Sequence, residues 1–269
     1  MAKPILDDEL WSLIQPLLSA PKPRRTRYPG RKPLDDRAVL TGILFVLQSG
    51  IPWEMLPQEM GCGSGMSCWR RLRDWQQAGV WDRLHEALLA KLRAADRIDW
   101  SRVVIVHLHS RSGIRSKTGP NPTDRARPGS KHHLVTEAQG IPLALILTGA
   151  DRNDVAQLLP LIEAFPPIRG KRGWPLSKPI VVQADRGYDH DKDRKPLPAV
   201  GIATQIARRG EPHGSGLGKT HWVVERTFAW LHNFRRLRIR FERLAARHEA
   251  FMKIAACIIC WRQLQNSFC

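Results

Sequence analysis

Apolar residues recur every three to four positions at Leu6, Leu10, Leu13, Ile14 and Leu17, a spacing that predicts an opening helix. "PKPRRTRYPGRKP" (21–33) is too polar and Pro-rich to pack and reads as a basic connector. "LDDRAVLTGILFVLQSG" (34–50) predicts a second helix, stopped by Gly50 and Pro52. Between 66 and 95, Trp69, Leu72, Trp75, Trp81, Leu84, Leu88 and Leu92 form an apolar stripe. It predicts one or two helices broken near Gly79, with Arg70, Arg71 and Arg73 projecting. These arginines fit either a helix-turn-helix that contacts nucleic acid or the solvated face of an ordinary bundle helix.

The period changes after Trp100. "RVVIVHL" (102–108) reads as a strand, and "KHHLVTEAQGIPLALILTGA" (131–150) as a hairpin turning at Gln139-Gly140. "NDVAQLLPLIEAF" (153–165) reads as a helix, 180–184 and 202–207 as strands, and the two segments from Thr220 onward as closing helices. The pattern predicts an all-helical part over 1–95, followed by an α/β part with a mixed sheet over 100–269. "GEPHGSGLGK" (210–219) is a Gly-rich loop without the strand-to-helix setting of a phosphate-binding loop.

Charge decides the class of partner. The 269 residues carry a net charge of +18, so a polyanion is expected, and nucleic acid is the commonest one. No apolar run approaches the roughly 20 residues that span a bilayer, and the first residues lack a signal-peptide stretch. A cytoplasmic protein with no membrane partner is expected. Of the five cysteines, Cys257 and Cys260 have ligand-like spacing. They lie in a helical apolar run with no second Cys/His pair, which points to reduced core thiols.

Two carboxylates stand out. "IVVQADRGYDHD" (180–191) runs a buried strand into Asp185, which either starts a turn or presents charge at a sheet edge. In "WVVERTFAWL", helical placement turns Trp222, Val223, Phe228 and Leu231 inward and sets Glu225 near the edge of that face. There it needs a cation, either a metal or a neighbouring arginine. Arg235, Arg236, Arg238 and Arg240 follow as candidate DNA contacts alongside Arg70, Arg71 and Arg73.

The segments "TGPNPTDRARPGSKHHLVTEAQGIPLALILTGADRNDVAQLLPLI", "ADRGYD", "ARRG", "HGSGLG" and "WVVERTFAWLHNFRRLRIRFER" resemble bacterial insertion-sequence transposases of the DDE type, in the IS-five group. The resemblance implies an RNase H-like catalytic domain after a helical N-terminal domain. It implies two Mg²⁺ ions (Mn²⁺ as a substitute) held by a first-strand Asp, by Asp185 and by Glu225. It further implies cleavage at an element's terminal inverted repeats, strand transfer into target DNA, a homo-oligomer on DNA, and association with the bacterial nucleoid. Asp185 would then end its strand in order to hold metal.

One acid is missing. No Asp or Glu occurs between Asp99 and Asp124. Counting along the pattern puts the absent acid near Val106 from one side and near Ser110 from the other, with His107 and His109 between. Two accounts compete. A short reading-frame slip, later restored, would leave a decayed copy, which would act as a silent DNA-binding protein or a repressor of related elements. Alternatively Asp151 or Asp154 substitutes in space. His107 or His109 is expected to point toward Asp185 and to take part of the metal's place, which Mg²⁺ accepts poorly from imidazole.

Overall fold

Asp7 and Asp35 cap the first two helices by accepting from Leu10 N (2.7 Å) and Ala38 N (2.9 Å), so α1 (Asp8–Ile14) and α2 (Asp36–Ser49) start where side-chain acceptors stand ready. The structure is a computed structural model that describes residues 4–18, 26–27, 32–113, 115–208, 210 and 222–265. Most of the expected connector over 21–33 and of the Gly-rich loop over 210–219 lies outside these residues. α2 ends at Gly50, whose φ of 76° is a left-handed cap. The stripe over 66–95 forms two helices, α3 (Gly65–Gln77) and α4 (Val80–Ala94), broken at Gly79 with φ 67°.

The α/β part opens with β1 (Val103–Ser112), longer than its apolar run suggested. Then come the short β2 (Gly119–Pro120) and the hairpin of β3 (Pro128–Glu137) and β4 (Pro142–Gly149). The helix expected over 153–165 is a 3-10 turn, Asp154–Gln157, followed by a short α5 (Leu158–Glu163). Asn153 caps the turn through its side chain, and Pro160 together with Pro166 and Pro167 limits helix length. β5 (Val181–Ala184), α6 (Asp191–Arg194), α7 (Pro196–Ala199) and β6 (Ala203–Ile206) continue the chain. α8 (Trp222–His232), α9 (Arg235–Arg238), β7 (Ile239–Arg240) and α10 (Ala245–Gln265) close it.

The main sheet runs β4-β3-β1-β5-β6. β3 is antiparallel to both β1 and β4, and β5 and β6 are parallel to β1. This is the order and polarity of an RNase H-like sheet preceded by helices. One detail positions the site. Along the same edge, β1 pairs with β5 only over Val103–Ile105 and with β7 only at Arg111 and Ser112. Among the described residues, positions 106–110 of β1 face a gap between two strands.

The helical and α/β parts share one hydrophobic core. α10 is the reason: it is apolar nearly all round, so it must be covered on every side. Cys257 Sγ reaches Trp81 O at 3.6 Å, and the Arg247 guanidinium lies 3.7 Å from the Trp69 ring. Cys257 and Cys260 are buried free thiols, both pushed up by burial, as the sequence led us to expect.

Buried histidines give the fold a pH dependence. His132 and His248 share a 2.8 Å Nε2–Nε2 hydrogen bond that needs one ring to donate and the other to accept. Burial, and then the Arg240 charge, lowers His132 to about 3. His133 is lowered to about 3, mainly by burial, and His248 lies well below its usual value. All three are neutral in the fold and protonated in the unfolded chain below about pH 6.5, so their contribution is complete above that pH and is lost as pH falls. Glu137, raised to about 7 by burial, acts the other way, because the fold keeps a proton that the unfolded chain releases above about 4.5. Three histidines outweigh one carboxyl. Urea midpoints should therefore rise between pH 4.5 and 6, with a slope in unfolding free energy of about 2.7 kcal/mol per pH unit, a net two protons at about 1.36 kcal/mol each. A flat or falling profile would overturn this balance.

Candidate functional site

β5 delivers Asp185 to the gap in the sheet. Ile105 is paired with Ala184, so Val106 lies level with Asp185 one residue further along two parallel strands. Such a splaying of neighbouring strands beyond a carboxyl end is where α/β sheets hold ligands. Asp185 is exposed, and its Oδ1 accepts from Gly187 N at 2.8 Å, which caps the turn Arg186–Tyr188. Both readings of this residue therefore hold locally: it starts a turn, and it stands at the sheet's opening.

A second carboxylate stands beside it. A Cβ built on Gly187 would lie 2.9 Å from Asp185 Oδ1 and 3.4 Å from Asp154 Oδ2, so the two acids crowd the same small space. Asp154 is already compensated: its Oδ1 accepts from Lys131 Nζ at 2.7 Å, and Lys131 is buried. Asp151 is elsewhere, with its Oδ1 against Gly119 and Gly149.

His107 and His109 do face the same way, with ring centroids 5.3 Å apart, as alternation along a strand requires. Their acidic neighbour differs from the expectation. His107 Nδ1 lies 3.6 Å from Asp154 Oδ1, so Asp154, rather than Asp185, supplies the negative charge. The reason is register. His107 is paired across β3 with His133, on the strand face that also carries Lys131, and Asp154 is tied to Lys131. Tyr188 is buried under this group, 3.4 Å from His133 Nδ1, and its hydroxyl is pushed well up by burial and by the charges of Asp154 and Asp185. His109 is lowered first by burial and then by its neighbours His107 and Lys131, against the opposing charge of Asp154. Among the described residues, the buried His107 Nδ1 and His109 Nε2 have no hydrogen-bond partner. The signal for Asp154 and Lys131 was in the sequence, but nothing along the chain says that a lysine and an acid 23 residues apart will meet.

Glu225 is exposed on α8. The inward face of α8 is Val223, Val224, Thr227 and Leu231, whereas Trp222 remains 41% exposed, which corrects its expected inward placement. α8 docks on the β3–β4 hairpin. Thr227 Oγ1 donates to Gly140 O at 2.9 Å, and Arg226 Nη1 to Gln139 O at 3.5 Å. Gly140, with φ 93°, allows that close approach.

Among the described residues, no group of three or more His, Cys, Asp and Glu side chains could hold a metal ion. A two-Mg²⁺ centre needs several hard oxygen ligands. Here Val106 occupies the level beside Asp185, the adjacent Asp154 is neutralised by a lysine, and the remaining donors at the gap are imidazoles. The residues present do not fit that pair of ions.

The candidate DNA contacts separate into two sets. Arg236 and Arg240 are buried, a correction to their expected surface role. Arg236 donates to Gly50 O, Ile51 O and Glu242 Oε1 (2.8 Å), and Arg240 to Lys117 O and to Ser130 Oγ (2.7 Å). Backbone carbonyls take part of both guanidiniums, with Glu242 completing the set for Arg236 and Ser130 for Arg240, while among the described residues Arg236 Nε and Arg240 Nη2 have no hydrogen-bond partner. Arg71 pairs with Asp36 and Arg73 with Asp74. Arg70, Arg235 and Arg238 are exposed.

Residues 6–85 match the family described as putative transposases of the IS4/5 family, and residues 98–260 match the transposase DDE domain. Over 172 residues the chain is 63% identical to a putative transposase for insertion sequence element IS402 of Burkholderia cepacia, covering 64% of this chain and 81% of that protein. It is 66% identical over 123 residues to the 16.2 kDa uncharacterized protein of the same element, covering 45% and 84%. It is 29% identical over 138 residues to the transposase of IS1106 from Neisseria meningitidis serogroup B, covering 48% and 42%. Among solved structures, a Mos1 mariner paired-end complex with Mn aligns at 13% identity and a TM-score of 0.29, covering 86% of this chain and 79% of that one.

Proposed function

This chain belongs to the IS4/5-family transposases with a DDE domain, and from that membership and the geometry of the gap we propose that it binds the terminal repeats of its element but does not cut them as written. The observation that carries the reading is the register of β1 against β5, with Val106 level with Asp185 and no carboxylate on β1. Asp185 and Glu225 are assigned as the two remaining catalytic acids of the family's site, with metal binding by both lost or weakened.

The net charge of +18 supports DNA as the partner, and its family supports divalent-metal chemistry in intact relatives. Among the described residues no helix is long and apolar enough to cross a membrane. Association with the nucleoid is part of the proposed reading. Assembly as a homo-oligomer on paired ends is part of the same reading. A copy that occupies ends without cutting them would compete with active relatives, which is the repressor role.

The test is a nicking and strand-transfer assay on end-containing DNA with Mg²⁺ and with Mn²⁺, run beside a binding assay. Binding without cleavage is expected. Robust Mg²⁺-dependent strand transfer by the unaltered chain would show that Asp154 or another acid completes the site, and the reading would fall.

A further inference from the structure

The segment following α9 carries a surface whose composition the catalytic reading does not use. Ile239, Phe241 and Leu244 are 46%, 47% and 52% exposed, large apolar side chains in water on one short stretch. Arg235, Arg238 and Arg243 flank them, all exposed, and among the described residues none of the three is in an ion pair. Alternate residues of the same segment point inward. Arg240 is anchored by Ser130, and Glu242 is buried against Arg236 and Trp53 Nε1. The Arg236 guanidinium lies 4.8 Å from the Phe241 ring. Phe241 is thus held from beneath by a buried ion pair and by a cation–π contact, while nearly half of its surface stays open.

We propose that this strip is a DNA-insertion surface. Phe241 enters between base pairs of a bound duplex, Ile239 and Leu244 line the opened step, and Arg235, Arg238 and Arg243 take the flanking phosphates. Apolar wedges inserted between base steps, beside cations on the backbone, are how proteins unstack and kink DNA. Charge selects this occupant over a second copy of the chain, because two surfaces bearing three uncompensated arginines each would repel on a protein of net charge +18. The inference rests on the DNA-binding reading above, and it names the contact surface and its mode.

The experiment uses the full chain and a pool of mixed-sequence 30-base-pair duplexes carrying 2-aminopurine. With the parent protein, 2-aminopurine fluorescence should rise on binding as steps unstack. Phe241→Ala should abolish that rise and weaken binding roughly tenfold with the salt slope unchanged. Arg238→Ala should keep the rise and lower the slope by about 0.9. Phe241→Leu, which retains an apolar wedge, should keep most of the rise and shows that loss in Phe241→Ala is not misfolding. The proposal is overturned if Phe241→Ala binds and brightens like the parent, or if sedimentation shows that it instead dissolves a self-association. A parent that does not bind DNA at all sinks the DNA-binding reading itself, and this strip's role with it.

Discussion

A Val106→Asp variant should gain divalent-metal binding and cleavage together, and by the largest factor of any single change in this protein. Position 106 lies level with Asp185 across parallel strands, at the mouth of the gap between β5 and β7. A carboxylate there would give Asp185 an oxygen-donor partner for Mg²⁺ on the adjacent strand, and a divalent ion would compensate the pair. His107→Asp should do less, because His107 faces Asp154 and Lys131, where a new acid meets an existing ion pair. Ser110→Asp should do nothing. Ser110 lies four residues beyond the level of Asp185, and its hydroxyl reaches the carbonyls of Leu237 and Arg238 at 3.4 Å. Mn²⁺ binding followed by electron paramagnetic resonance and nicking of supercoiled plasmid should both follow the order 106, 107, 110. Equal silence from all three, or a gain confined to Ser110→Asp, would refute the register argument. Val106 is 7% exposed, so the variant should be less stable without metal and should recover stability when metal is added.

Glu242→Ala should be the most destabilising single substitution outside the apolar core. Glu242 and Arg236 are each 5% exposed and 2.8 Å apart, and Glu242 also accepts from Trp53 Nε1 at 3.2 Å. Arg236 in turn donates to the carbonyls of Gly50 and Ile51 (3.3 and 2.9 Å), so this ion pair joins the end of α2 to the segment after α9. Removing the acid leaves a buried guanidinium without its counter-charge and an indole N–H without an acceptor. Breaking one half of a buried pair costs about 3–5 kcal/mol, whereas replacing both halves with apolar groups is often close to neutral. Chemical denaturation should show a loss in that range for Glu242→Ala and a smaller one for Glu242→Gln, which keeps an acceptor. The double variant Arg236→Met with Glu242→Leu should recover most of the loss. A cost below about 1 kcal/mol for Glu242→Ala would mean that water reaches the pair and that it does not join the two parts.

The arrangement of elements was legible because it depends on local pattern. Period 3.6 over 66–95 and the break at Gly79 became α3 and α4, and the β-branched run at 180–184 became β5, since hydrophobic periodicity and glycine conformation act through near neighbours. The family could be read as well, because its motifs are contiguous in the chain. The lack of an acid between Asp99 and Asp124 was a fact of sequence alone, but the chain left its proposed place open between Val106 and Ser110, and the pairing of β1 with β5 is what favours Val106. The long-range contacts were not readable. Asp154 meets His107 and Lys131 through β3 and a turn, and nothing in a one-dimensional pattern fixes which acid a histidine will face. The arginine run over 235–240 illustrates the same limit. Composition marked Arg235, Arg236, Arg238 and Arg240 alike as surface cations, yet the fold buries Arg236 and Arg240 and leaves Arg235 and Arg238 in water. Charge is a property of the residue, whereas burial is a property of the neighbours that the fold brings to it. For this protein the chain itself determined the family, the element order and the absence of one carboxylate. The tertiary structure decided which residue of β1 stands level with Asp185 and which of the arginines remain in water, because both depend on neighbours far away in the chain.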